Sequence, residues 1–201
     1  ANYLWQAGLS TSELSELALQ IGSDVPFFLS GSAARCTGRG ELLTPLNIPA
    51  GLDIVLIKPR VGLATAAVFA DYATYQGASV DDRVAVDNIL GACASGRAPE
   101  IGKWLHNRLV DSALRLQPEL QQLQAELLTL GLPGVQMTGS GSAFYLLCRH
   151  ARQARNVAMQ LSHRGHAVVC PTRTLSHRYL NIDPEQDSFP MEQPGVRLSP
   201  Q

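Results

Sequence analysis

A run of small polar residues directly before an apolar segment has the composition of a ligand-binding loop. Residues 137–142 are Met-Thr-Gly-Ser-Gly-Ser, and the mostly apolar residues 143–148 predict a buried strand. Glycine has no Cβ and adopts positive φ easily, so the backbone amides of Gly139, Ser140 and Gly141 can turn toward an anionic or polar group. The same pattern also suits an ordinary turn. The prediction of a binding loop therefore depends on evidence from elsewhere in the chain.

A single carboxylate between a glycine and a proline is the second candidate. Residues 21–28 are Ile-Gly-Ser-Asp-Val-Pro-Phe-Phe, and Asp24 is the acidic residue among them. Aspartate is a preferred helix N-cap and proline suits the first helical turn, so Asp24 can simply begin a short helix. A carboxylate held at such a position can also accept a proton from a bound hydroxyl group, which is the task of a general base. Asp24 is therefore our candidate catalytic residue.

The elements that must position these residues alternate between helix and strand. Ser10 and Glu13 have the spacing of a capping box and predict a helix that ends near Ile21, with Leu14, Leu17, Ala18 and Ile21 on its apolar face. Leucines 120, 123, 127 and 130 have helical spacing and predict a stripe that packs in the core. The succession of elements favours an α+β sandwich, in which a mostly antiparallel sheet carries helices on one face. The other predicted elements are strands at 33–36, 41–45, 52–57, 143–148 and 167–170, and helices at 65–75, 81–94, 101–105, 118–130 and 151–164.

Composition argues against several classes of function. The 201 residues carry a formal net charge of -1, which provides no electrostatic basis for binding nucleic acid or an anionic membrane. No apolar run approaches the ~18 residues of a membrane span, and no basic segment precedes an apolar one as in a signal peptide. The four cysteines and five histidines lack the spacing of metal ligands. These features predict a cytoplasmic protein with free thiols and no metal-ligating cluster.

Taken in order, the motifs resemble those of the GHMP small-molecule kinase superfamily. Within it, the similarity is greatest to members that act on a cytidine-diphosphate-linked methylerythritol in the non-mevalonate isoprenoid pathway. The similarity extends over roughly residues 1–180, and it rests on segments 2–10, 22–28, 36–41, 59–69 and 137–142.

This resemblance implies a reaction and a role for each candidate. The reaction is ATP- and Mg²⁺-dependent phosphorylation of the 2-hydroxyl of a small-molecule substrate, CDP-methylerythritol, with Asp24 as the base. Thr65 and Phe69 lie four residues apart and share one side of a predicted helix. By resemblance they border the cytidine pocket, the ring of Phe69 stacks on cytosine, and the loop 139–141 also binds substrate. Without the resemblance, a phenylalanine in an alanine-rich helix is more typical of a core residue.

The resemblance also implies a GHMP kinase fold in two parts. Residues 1–50 correspond to the end of an S5-like N-terminal, ATP-binding domain, and residues 51–182 to a ferredoxin-like α/β sandwich domain. The proline-rich residues 183–201 predict a disordered tail. Superfamily members carry a lysine and a glycine-serine-rich ATP loop before the point where this sequence starts. We therefore expect a fragment that is inactive alone, and the sequence does not indicate its oligomeric state.

Two alternative functions remain open from the sequence. A kinase of the mevalonate or homoserine type would share Asp24 and the glycine loop, but would not need Thr65 and Phe69 to contact a nucleobase. A non-catalytic ligand-binding module derived from such a kinase also fits, because the sequence contains no ATP loop of the expected kind.

Overall fold

The computed structural model forms two compact units, which are described separately. The N-terminal unit includes Ala1–Leu43, and the C-terminal unit is Thr44–Ser176. The residues described are 2, 5–30, 33–46, 48–49, 51–75, 82–165 and 168–175, so the predicted tail at 183–201 lies outside them. Within these ranges, no helix has both the length and the apolar character that a membrane crossing requires.

The first helix begins at the predicted capping box. The Ser10 side chain accepts a hydrogen bond from the Glu13 amide, and the Glu13 carboxylate accepts one from the Ser10 amide at 2.8 Å. Hydrogen bonds from the Ser10 hydroxyl and amide lower the pKa of the Glu13 carboxyl. On the predicted apolar face Ala18 is buried, whereas Ile21 is 80% exposed. The elements of this part of the chain are α1 (Thr11–Ile21), α2 (Phe27–Ser30) and the paired strands β1 (Ala34–Thr37) and β2 (Leu42–Pro45).

The C-terminal unit contains a four-stranded sheet in the order β4-β5-β3-β6. All three strand pairings are antiparallel, so the β-α-β-β-α-β succession has the strand order of a ferredoxin-like sandwich. The α+β class and the antiparallel sheet are thus confirmed. The elements are β3 (Asp53–Lys58), α3 (Thr65–Tyr75), α4 (Asp82–Ser95), α5 (Ala98–Gly102), α6 (Val110–Leu116), α7 (Pro118–Leu128), β4 (Gly134–Met137), β5 (Phe144–Cys148), α8 (Ala151–Ser162) and β6 (Val168–Arg173).

Side chains on the two faces of the sheet belong to different clusters. Val55 and Ile57 of β3 are fully buried in the main core, together with the predicted α7 leucines Leu120, Leu123 and Leu127. Leu147 of β5 points the other way and packs with residues of α4 and α5. The prediction that helices cover one face was therefore wrong, since α4 and α5 cover part of the second face.

Two elements were not predicted, and others have different bounds, such as β6, which was predicted at 167–170 and extends to Arg173. Strand β4 and helix α6 were missed, because four and seven residues are too few to establish a hydrophobic period. Helix α5 was predicted at 101–105 but occupies Ala98–Gly102. The helix starts at Ala98, and Pro99 lies in its first turn, where a missing amide hydrogen costs nothing.

Candidate functional site

The glycine loop closes the β4–β5 hairpin with its own hydrogen bonds. The Thr138 amide donates to the Ala143 carbonyl at 2.9 Å, and the Gly141 amide donates to the Thr138 carbonyl at 2.8 Å. The predicted row of ligand-binding amides is therefore shorter than expected, because Gly141 is already engaged. In the described structure, the amides that this loop can offer a ligand are those of Gly139 and Ser140.

The two glycines of the loop serve different purposes. Gly141 has φ +90°, and a Cβ placed on it would lie 2.8 Å from the Met137 Sδ and 3.1 Å from the Leu63 Cδ1. Gly139 has φ +47°, and no atom lies within 4 Å of a Cβ placed there. Gly141 therefore allows close packing, whereas Gly139 leaves an open side that a ligand can approach.

Asn107 braces the entrance to the loop. Its Nδ2 donates to the Met137 carbonyl at 3.0 Å and to the Gly139 carbonyl at 2.8 Å. Its Oδ1 accepts a hydrogen bond from the Leu109 amide at 2.9 Å, just before α6. An open groove of about 450 Å³ lies beside this brace and is lined by residues 106–109, residues 136–139 and Tyr145.

Lys58 and Ser142 connect the other end of the loop to the segment that follows β3. The Lys58 Nζ donates to the Ser142 Oγ at 2.8 Å, to the Val61 carbonyl at 3.0 Å and to the Pro59 carbonyl at 3.2 Å. The hydroxyl of Ser142, which is 3% exposed, donates in turn to the Val61 carbonyl at 2.6 Å. Sequence reasoning missed this connection, since Lys58 and Ser142 are separated by 84 residues.

The structure brings Thr65 to the glycine loop. Thr65 is the first residue of α3, and its Oγ1 lies 2.8 Å from the Oγ of Ser140. Phe69 lies one helical turn further along and is 53% exposed, whereas its neighbour Val68 is fully buried. The alternative that Phe69 is a core residue is therefore wrong, and its ring is available for contact.

An ion pair fixes the helix that carries Thr65 and Phe69. The Arg115 Nε of α6 donates to Asp71 of α3 at 3.1 Å, and the guanidinium lies 4.8 Å from the centre of the Tyr75 ring. The hydrogen bond from Arg115 lowers the pKa of the Asp71 carboxyl. Asp71 and Tyr75 lie on the same side of α3, so two successive turns of this helix are held against α6.

Asp24, the candidate base, belongs to the N-terminal unit. The residue lies in the turn before α2, and its side chain is exposed. Gly40, in the β1–β2 turn, has φ +119°, and a Cβ placed there would lie 2.9 Å from the Asp24 Oδ1. The segment 36–41 therefore reaches the candidate base, and the absence of a side chain at Gly40 leaves space for its carboxylate.

Comparison with known proteins identifies a recognised domain within the C-terminal unit. Residues 89–167 match the family model described as GHMP kinases C terminal. These residues form a GHMP kinase C-terminal domain. This match covers α5 to α8, including the Asn107 brace and the glycine loop, so the central features of the candidate site lie in a recognised GHMP kinase domain.

Two similarities point to one kind of GHMP kinase. A 4-diphosphocytidyl-2-C-methyl-D-erythritol kinase of Shouchella clausii is 39% identical over 146 residues, which are 72% of this chain and 47% of that protein. A crystal structure of 4-(cytidine 5'-diphospho)-2C-methyl-D-erythritol kinase is 35% identical, covers 87% of this chain and 61% of that one, and has a TM-score of 0.68. The chain spans about half the length of the curated relatives it matches.

A third similarity concerns the fold alone. A homoserine kinase from Cytophaga hutchinsonii has a TM-score of 0.69 and covers 87% of this chain and 61% of its own, at 15% sequence identity. Because the backbone is shared at such low identity, this GHMP kinase scaffold does not by itself select a substrate.

Proposed function

We propose that the whole protein phosphorylates the 2-hydroxyl of 4-diphosphocytidyl-2-C-methyl-D-erythritol with ATP as the phosphoryl donor, a step in isoprenoid precursor synthesis. The main support for the proposal is the hydrogen bond between the Thr65 and Ser140 hydroxyl groups, whose oxygens are 2.8 Å apart. The exposed ring of Phe69 lies one helical turn from Thr65. This arrangement offers an aromatic face for a base next to a glycine loop for polar groups. The relatives named above, at 35% and 39% identity, support the choice of substrate.

In the proposed reaction, Asp24 accepts the proton of the substrate hydroxyl. The hydroxyl oxygen then attacks the γ-phosphorus of ATP, and the bond from that phosphorus to the bridging oxygen breaks as ADP leaves. General-base assistance of this kind contributes about 10² to 10⁴ in rate, and alignment and charge stabilisation contribute the remainder. The side chain of Asp24 is exposed, so a hydroxyl group can approach its carboxylate.

The glycine loop is suited to bind a phosphate or hydroxyl group of the reactants. Gly139 is exposed with no atom within 4 Å of a Cβ placed on it, so a phosphate or hydroxyl group can approach its backbone. Mg²⁺, when bound, would neutralise charge on the phosphate groups of ATP. Among the residues that the structure describes, no group of three or more His, Cys, Asp or Glu side chains is placed to hold a metal ion, so we assign no residue of this chain to Mg²⁺.

The test is an ADP-release assay on the full-length protein with Mg-ATP and three acceptors: CDP-methylerythritol, mevalonate and homoserine. We expect turnover with the first acceptor and competition by CDP, because Phe69 and Thr65 contact the nucleotide part. Asp24→Asn keeps the shape of the side chain but cannot take the proton, so kcat should fall by about 10² or more while KM changes little. Glu16→Gln removes an exposed carboxylate of α1 and serves as the matched control.

Each other outcome refutes a different part of the proposal. Turnover of mevalonate or homoserine without competition by CDP would replace the substrate and leave the kinase class intact. Binding of CDP without turnover of any acceptor would favour the non-catalytic module. An Asp24→Asn protein that turns over at the parent rate would remove the general-base assignment.

A further inference from the structure

Lys58 is in an unusual position for one of the chain's two lysines. The sequence contains Lys58 and Lys103 and no other lysine. An ammonium group has three hydrogens to donate, and Lys58 donates to three oxygens, on Pro59, Val61 and Ser142. Its donor capacity is therefore fully used within the protein, although Lys58 is exposed to solvent, as is Lys103 at the end of α5.

The hydrogen bonds of Lys58 close a small ring. Lys58 and Ser142 both donate to the Val61 carbonyl, at 3.0 and 2.6 Å, and the Lys58 Nζ also donates to the Ser142 Oγ at 2.8 Å. Each member thus contacts the other two, so moving one disturbs both remaining bonds. Hydrogen bonds to a charged donor are stronger than neutral ones, which makes the ammonium the main element of the ring.

This ring lies between the two parts of the candidate site. Val61 belongs to the segment that leads from β3 to Thr65 and α3, and Ser142 ends the glycine loop. The hydroxyl pair of Thr65 and Ser140 is a second link between the same two segments. Packing adds a third link, because the Leu63 Cδ1 would lie 3.1 Å from a Cβ on Gly141.

We propose that Lys58 and Ser142 are positioning residues that hold the glycine loop in register with the cytidine-side helix α3. They do so by fixing the loop to the Val61 carbonyl, and they take no part in the chemistry themselves. Without them α3 keeps its own support, since Arg115 holds Asp71 and contacts the Tyr75 ring. The expected defect is therefore a misplaced loop beside an intact nucleobase contact.

If Lys58 and Ser142 position the loop while Arg115 supports α3, their variants should show a specific kinetic pattern. This prediction rests on the proposed function. Lys58→Met and Ser142→Ala should lower kcat, and a misplacement of about 1 Å can reduce a rate by about 10²-fold. The affinity for CDP should stay near the parent value, because Thr65 and Phe69 remain on α3. The double variant should be no worse than Lys58→Met alone, because both changes open the same ring. Lys103→Met is the matched control and should behave as the parent.

A second measurement needs no substrate and tests the ring itself. Acetic anhydride under limiting conditions, followed by peptide mass spectrometry, compares the labelling of Lys58 with that of Lys103 in one sample. We expect Lys103 to be labelled first in the full-length protein, and Ser142→Ala to increase the labelling of Lys58 relative to Lys103. All variants are compared at 25 °C, after circular dichroism has shown that they are folded.

The outcomes separate this inference from the proposed function. A parent protein that is inactive on CDP-methylerythritol refutes the function, while the labelling ratio still tests the ring. Equal labelling of the two lysines in the parent would show that the hydrogen bonds of Lys58 are not formed in solution. The positioning role would be overturned if the Lys58→Met and Ser142→Ala proteins fold and keep the parental kcat. It would also be overturned if both variants lose CDP affinity as much as they lose kcat. If Lys58→Met does not fold, Ser142→Ala decides, and unfolding of both variants would assign the ring to stability alone and refute the proposal.

Discussion

The packing of Gly141 leads to a prediction about stability that can be tested with two other glycines as references. In Gly141→Ala, the new methyl group would lie 2.8 Å from the Met137 Sδ and 3.1 Å from the Leu63 Cδ1. Met137 is 1% exposed, so it can move only by disturbing the core. The positive φ of +90° adds a second cost, because alanine disfavours that region.

The two costs can be estimated separately. A left-handed conformation costs a residue with a Cβ about 1–2 kcal/mol, and overpacking a buried site costs about 1–3 kcal/mol. We therefore expect Gly141→Ala to lower the free energy of unfolding by about 2–5 kcal/mol. Gly139 and Gly131 also have positive φ, +47° and +59°, but no atom lies within 4 Å of a Cβ placed on either of them. Their alanine variants should lose only the conformational part, about 1–2 kcal/mol.

Urea unfolding followed by circular dichroism measures all three variants against the parent. The difference between Gly141→Ala and the two reference variants isolates the contact with Met137 and Leu63. If the three variants agree within about 0.5 kcal/mol, which is the range of ordinary surface substitutions, the close packing of Gly141 does not exist in solution. Gly131 lies outside the candidate site and also controls for activity, so a loss of kcat/KM confined to the loop variants would connect the loop to function.

Three further predictions concern the site and the core. Phe69→Ala should raise KM for the cytidine substrate by the equivalent of about 1–3 kcal/mol, as for aromatic stacking on nucleobases. Its Tm should change little because the ring is 53% exposed, and an unchanged KM would contradict the proposed contact with cytosine. Asn107→Asp keeps the acceptor for the Leu109 amide but removes the two hydrogen bonds that Asn107 donates. The free energy of unfolding should therefore fall by about 1–3 kcal/mol, and kcat/KM should fall as well. Urea unfolding identical to that of the parent would show that Asn107 does not brace the loop. Burial raises the pKa of the Cys148 thiol to about 11, so its contribution to stability is complete below the unfolded-state pKa and is lost as the pH rises toward 11. Unfolding free energies measured between pH 8 and 11 should therefore decline less in Cys148→Ala, and identical slopes for the two proteins would refute this.

The sequence by itself determined the elements whose signals are local. The capping box at Ser10 and Glu13 places the start of α1 because its two hydrogen bonds join residues three positions apart. The leucine stripe of α7 is confirmed by Leu120, Leu123 and Leu127, since helical spacing alone brings them to one face. The glycine loop was also recognisable, because glycines before an apolar run allow the positive φ angles of a tight turn. Strand β4 and helix α6 lacked such signals and depend on their neighbours for stability.

Only the tertiary structure decided how the candidate site is held together. Asn107 contacts carbonyl groups 30 and 32 residues away, and Lys58 reaches Ser142 across 84 residues. One sequence contains no information about such pairs, because the partners become neighbours only when the sheet has formed. The exposure of Phe69 was undetermined for the same reason: an aromatic residue in an alanine-rich helix is more typical of the core, and only the family resemblance favoured a ligand contact. Its position on α3, where Val68 takes the buried side and the ring stays outside, follows from how α3 packs in the folded unit.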